Sequence, residues 1–230
     1  MKKTTSVLLA LCLTLVLALP ALAVNHELLD IPFGSSQEEI TEAMAAKTGV
    51  TPDEPDPTLD YDALTFGRTQ PLVIFGHEAI ARPYIKDDGD GLMEWHIRFQ
   101  TGSKTRENPT EEELAEVVDE IIALFDDLSA EIQALYGPPT YGDLFVNKTY
   151  DFPIVGGQLD RETVRHAFME NESALLTTIT DNIYLRINIE NYGGLAMLDT
   201  VVTFWQPNDS RITRDSMGFQ HENGGYQYVR

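Results

Sequence analysis

The chain of 230 residues carries 37 aspartates and glutamates against 16 lysines and arginines, a formal net charge of −21, with 43% apolar residues and one cysteine. Such a surface repels nucleic acid and anionic membrane, while the apolar content separates the chain from a disordered acidic tail and allows a core to be buried. A lone cysteine excludes a disulfide framework.

Residues 1–23 read as an export leader. "MKK" supplies the positive start, "VLLALCLTLVLALP" the apolar run, and "ALA" before Val24 the small residues that a signal peptidase accepts. Pro20 breaks the run and no stop-transfer pattern follows, so no membrane insertion is expected once the leader is gone. Cys12 lies inside the leader, and the bulky Leu11 before it does not suit a lipoprotein cleavage site. The remaining chain is therefore expected to be secreted or periplasmic, free of cysteine, and without thiol chemistry. Its elements divide it into 24–109, 110–205 and a polar tail at 206–230.

In "IPFGSSQEEI", residues 31–40, Ser35 followed by Glu38 predicts a capping box. Ile40, Ala43 and Met44 share one helical face and Gly49 suits a left-handed stop, giving a short helix from about 36 to 47. The glycine and serines also resemble an anion cradle, but a phosphate loop wants more glycines and a lysine. Residues 51–62, "TPDEPDPTLDYD", read as an exposed loop; its carboxylates are of the kind calcium takes, at a spacing that matches no EF-hand.

Strand patterns follow in "ALTFGR", "PLVIFG", "AIARPYI" and "LMEWHIRFQ", with "DDGDG" as a hairpin turn. In the last strand Met93, Trp95, Ile97 and Phe99 alternate with Glu94, His96, Arg98 and Gln100. A long amphipathic helix then starts at Thr110, whose capping partner is Glu113, and runs to Gly137 with Pro138 and Pro139 forbidding continuation. At 1.5 Å per residue it is about 39 Å long, enough to cross several strands. Residues 140–173 give no clear pattern. Strands return in "ALLTTIT", "NIYLRINIE" and "LDTVVTFW", the last two joined by a long connection, "NYGGLAM"; "ENGGY" suggests a short hairpin in the tail.

The order predicts an α+β fold: antiparallel strands covered by a short N-terminal helix and one long amphipathic helix, as two halves sharing one sheet or as two small sheets. "IPFGSSQEEITEAMAAKTG" resembles the entry of small exported modules typified by the β-lactamase inhibitor protein and the SmpA/OmlA outer-membrane lipoproteins, and "LSAEIQALYGPP" resembles an exit found in many secreted bacterial proteins. The lipidated cysteine of the lipoproteins and the disulfides of the inhibitor are both missing, and these motifs encode no contact surface that could be carried over. The resemblance implies a helix-on-sheet module that binds proteins without doing chemistry.

No catalytic, cofactor-binding or metal-binding residue is assigned from the sequence, and no cofactor is expected. His26, His77, His96, His166 and His221 lack the paired spacing of a zinc helix, and neither a nucleophile elbow nor a dinucleotide loop occurs. Glu94, His96 and Arg98 would project from one strand face and could form a proton-transfer site, but an alternating polar face turned to solvent gives the same letters and is the favoured reading. His77 beside Glu78 and His221 beside Glu222 would point in opposite directions within strands. Sequons at Asn147, Asn171 and Asn208 read as chance beside a bacterial type of leader. The expectation is an exported, non-enzymatic binding module with a protein partner; the alternative is a hydrolase of cell-wall or other extracellular polymers, working through carboxylates that only folding brings together.

Overall fold

The computed structural model describes residues 26–54, 64–86, 91–139, 141–146, 150–153 and 161–206. The leader, most of the acidic loop, the "DDGDG" turn up to residue 90, the sequons at Asn147 and Asn208, His221 and the "ENGGY" hairpin lie outside the described residues.

A 3-10 turn at Leu28–Asp30 precedes helix α1, Gln37–Thr48. Strands β1 (Leu72–Ile74), β2 (His77–Lys86), β3 (Gly91–Phe99) and β4 (Lys104–Glu107) come next, then the long helix α2, Glu111–Tyr136. Beyond it lie β5 (Tyr141–Val146), β6 (Tyr150–Pro153), α3 (Arg161–Glu170), β7 (Ser173–Thr180), β8 (Ile183–Tyr192) and β9 (Leu195–Trp205). The strands of the described residues join one nine-stranded sheet in the order β1-β2-β3-β9-β8-β7-β5-β6, with antiparallel pairing throughout and β4 also on β9. The chain is thus α+β with one antiparallel sheet.

The last strand is the link. β9 pairs with β8 from Leu195 to Phe204, and on its other side with β3 at Val201–Trp205 and with β4 at Leu195–Leu198. β4 therefore continues β3 along the same edge after an interruption at 100–103. The stripe expected of α2 is real: Leu114, Val117, Val118, Ile121, Ile122, Phe125, Leu128 and Ile132 are buried, and the helix packs on β7, β8 and β9. Leu135, which continues the spacing of that stripe in the sequence, is 61% exposed instead.

Several local expectations are corrected. Ser36 and Glu39, not Ser35 and Glu38, form the capping box of α1, because the Ser35 hydroxyl is spent on the Pro32 carbonyl at 2.7 Å. "ALTFGR" is no strand: Phe66 forms an isolated bridge with Ala81, after which the Asp53 carboxylate gathers the amides of Arg68 and Thr69 and turns the chain. "NYGGLAM" is a tight hairpin rather than a long connection. Tyr192 pairs with Leu195, and Gly193 and Gly194 take φ of 58° and 90°, the doubly left-handed turn that glycine permits. The patternless stretch contains β5, β6 and the amphipathic α3, which buries Val164, Ala167 and Phe168 and is tied to α2 by Arg161–Asp126 (2.6 Å) and Arg165–Asp119 (2.8 Å).

One buried side chain closes the fold on itself. Asn182 Oδ1 accepts the His26 amide at 2.8 Å, and Asn182 Nδ2 donates to the carbonyls of His26 at 2.8 Å and Trp205 at 2.9 Å. The first described residue is so fixed to the β7–β8 turn and to the end of β9. Replacing Asn182 by alanine strands these backbone groups, and the expected loss is roughly 2–4 kcal/mol in a urea unfolding titration. A loss below about 0.5 kcal/mol would show that water replaces the carboxamide without penalty.

Candidate functional site

The glycine and serines ahead of α1 are fully used by the fold. The Gly34 amide donates to the Leu92 carbonyl and the Leu92 amide donates to the Ser35 carbonyl, both at 2.8 Å, so the segment is clipped to the start of β3. The approach is close: a Cβ on Gly91 would lie 2.1 Å from the Gly34 carbonyl oxygen. The Ser36 hydroxyl accepts the Glu39 amide at 3.3 Å while the Glu39 carboxylate accepts the Ser36 amide at 2.8 Å. The Ser36 amide first, and then the Ser36 hydroxyl, hold the Glu39 carboxyl below its ordinary range. An anion would have to displace that carboxylate.

The polar face of β3 is not the simple solvated surface its letters suggest. Arg98 is exposed and its Nε donates to Asp199 at 2.7 Å and to Ser103 at 3.0 Å, while the Ser103 hydroxyl donates to Asp199 at 2.7 Å. His96 sits opposite Arg82 on β2 and Thr203 on β9, and among the described residues its Nε2 has no hydrogen-bond partner. By register Tyr184, Val201 and Trp205 share this face, and all three are buried. Burial drives the His96 imidazole down to about 4, the Arg186 charge adds to the effect, Asp199 opposes it, and Arg82 and Arg98 contribute less. His96 is therefore a neutral histidine beside Arg82 and Arg186, and Arg98 is committed to Asp199.

A groove of about 770 Å³ lies elsewhere, where three segments distant in sequence meet. The 3-10 turn forms one wall, the β1–β2 turn the second, and the last turns of α2 the third, through Glu131, Leu135 and Tyr136. Tyr136 is central. Its ring lies 4.8 Å from His26, 6.5 Å edge-on from Phe75 and 5.7 Å from Phe204, and Phe75 stacks on Phe204 at 6.3 Å. Desolvation first, then the Asp30 charge, raises the Tyr136 phenol above its ordinary value, so it stays protonated. His26 is held by Asp181 at 3.0 Å. On the rims Val73 is 58% exposed and Leu135 is 61% exposed.

Backbone strain gathers at this groove. Leu29, Asp30 and Phe75 line it with φ of 53°, 52° and 51°, and Asp181, which holds His26, has φ of 49°. Such conformations cost about 1–3 kcal/mol each and persist where the surroundings enforce them, often at ligand-binding positions. Phe75 and Gly76 are the two loop residues of the β1–β2 hairpin, where asparagine or glycine is the ordinary first residue. Phenylalanine there gives up turn stability and places a ring against Tyr136 and Phe204.

No group of three or more metal-ligating side chains occurs among the described residues, and Asp53 of the acidic loop is occupied by the turn at Arg68 and Thr69. The Asn171 side chain donates to the Ala167 carbonyl at 2.8 Å, and His77 packs edge-on to Phe99. Sequence reasoning missed the groove entirely. Its one local signal was Leu135, an apolar residue in line with the stripe of α2 but beyond the reach of the sheet.

The buried His96 sets a pH dependence. Its folded pKa lies near 4 against an ordinary 6.5, so below 6.5 the unfolded chain takes up a proton that the folded chain refuses. Stability from this group is complete above pH 6.5 and is lost as pH falls toward 4, by about 3 kcal/mol at most. Urea midpoints measured across that window should decline for the native chain and stay flatter for His96→Gln; parallel declines would contradict this.

Comparison with protein families, with curated proteins and with solved structures finds no match to the chain.

Proposed function

We propose that the chain is an exported, non-enzymatic binding module whose partner is a protein, and that the groove at the end of α2 receives part of that partner. The observation that carries this reading is an open groove with half-exposed aliphatic rims, Val73 and Leu135, over an aromatic floor held by strained backbone. Exposed aliphatic groups flanking an aromatic surface are what a protein interface desolvates, and they give little to the free chain. Strain in Leu29 and Phe75 is of the kind kept when a surface must have one shape before its ligand arrives.

A polymer hydrolase would need a general acid shielded enough to hold its proton, beside a second carboxylate. Two of the three acids of this groove, Asp30 and Glu131, suit that role poorly. The Asp30 side chain is 96% exposed and pairs with Lys47 at 3.4 Å, and Glu131 is exposed on α2. Tyr136 remains a neutral phenol. These features fit recognition better than proton transfer.

Leu135→Asp tests the reading because position 135 is exposed and its replacement should leave the melting temperature within a degree or two of the native chain. In a pull-down from the envelope fraction of the producing cells, the native chain should retain a partner that Leu135→Asp loses. Retention of the same proteins by both chains would remove the groove from the account.

A further inference from the structure

We infer that the groove takes an extended cationic segment, with a lysine or arginine on either side of an aliphatic or aromatic anchor; this rests on the reading of the groove as the binding site. The charge is the first argument. Glu27 and Asp30 come from the 3-10 turn and Glu131 from α2, so carboxylates stand on two walls, and no lysine or arginine lines the groove. Lys47 touches Asp30 from α1, but both side chains are exposed, and such a pair contributes about 0–1 kcal/mol and is readily exchanged for a ligand cation. The whole chain, at −21, adds a background that draws cations and repels acidic segments.

The aromatic floor points the same way. Tyr136 and Phe75 line the groove together with the carboxylates, and an aromatic ring beside an ammonium or guanidinium adds the attraction of its quadrupole to that of the acids. Leu135 and Val73 then offer the contact for an apolar neighbour of that cation. Shape argues for a chain segment rather than a compact small molecule. The groove is open, and β1, which carries Val73, ends the sheet among the described residues, so an extended segment can lie along its outer edge while its side chains enter the groove.

Three capped peptides provide the test: Lys-Leu-Phe-Leu-Lys, Glu-Leu-Phe-Leu-Glu and Lys-Ser-Ser-Ser-Lys, titrated calorimetrically and by amide chemical shifts against the native chain, Leu135→Ser and the double variant Asp30→Asn with Glu131→Gln. The lysine–phenylalanine peptide should bind about tenfold more tightly than either control, weaken with added salt, and lose about tenfold in the double variant, with shifts centred on Phe75 and Tyr136. Equal binding of the lysine and glutamate peptides, both weakened by Leu135→Ser, would overturn the cationic class and leave the groove standing. Binding of no peptide, or binding indifferent to Leu135→Ser, would overturn class and groove together. Self-association of the native chain that Leu135→Ser abolishes would name a second copy as the occupant and overturn the cationic segment.

Discussion

The carboxamide of Asn182 is the constraint on which the arrangement of the groove depends. It satisfies the amide and carbonyl of His26, 156 residues away in sequence, and the carbonyl of Trp205 at the end of β9. A segment with no regular structure of its own thereby gains the hydrogen bonds that a strand would have given it. From His26 the chain turns through Leu28–Asp30, and Leu28 and Ile31 enter the core on either side of the turn. Without that anchor the wall carrying Glu27 and Asp30 would rest on the burial of Leu28 and Ile31 and on the His26–Asp181 contact. The imidazole of His26 is steered by the same turn, through Asp181.

Packing energy and strain are distributed unevenly over the molecule. Most of the apolar surface is buried by one cluster: α2 with its stripe, the inward residues of β3, β7, β8 and β9, Ile40 and Met44 of α1, and Val164 and Phe168 of α3. Each such side chain contributes about 1.5–3 kcal/mol by leaving water. That surplus tolerates left-handed leucine and phenylalanine at one end of the molecule, each costing about 1–3 kcal/mol. Among the described residues four of the five left-handed non-glycine positions line the groove or hold His26, the fifth being Asn108, while the β8–β9 turn itself uses two glycines at little cost. A chain selected for stability alone would place asparagine at position 75.

What could be read from the sequence is what depends on near neighbours. Thr110 and Glu113 cap α2 as expected, Gly49 ends α1 in the left-handed region, and the alternation of Trp95, Ile97 and Phe99 with His96 and Arg98 follows the β3 pleat. The choice between Ser35 and Ser36 as cap was not legible, because both precede a glutamate at the right distance and the decision lies with Pro32 and Leu92. β5 and β6 are short, and α3 is too brief to show a long period, so stretch 140–173 gave no pattern. The groove was illegible for a deeper reason: residues 26–30, 73–76 and 131–136 meet only because β9 lies between β3 and β8 and Asn182 draws in the N-terminal segment. The desolvation of His96 was hidden similarly, since its alternating neighbours suggest solvent while buried Tyr184 and Trp205 come to the same face from other strands.

The central claim is that partners are engaged at the end of α2 and not on the sheet. Site-specific photo-cross-linking in the producing cells decides between these surfaces most directly, with the photoreactive group at exposed Leu135 in one chain and at exposed Tyr84 of β2 in another. The account predicts a discrete adduct from position 135, competed away by the unlabelled native chain, and none from position 84. An adduct from position 84 with none from position 135 would contradict it.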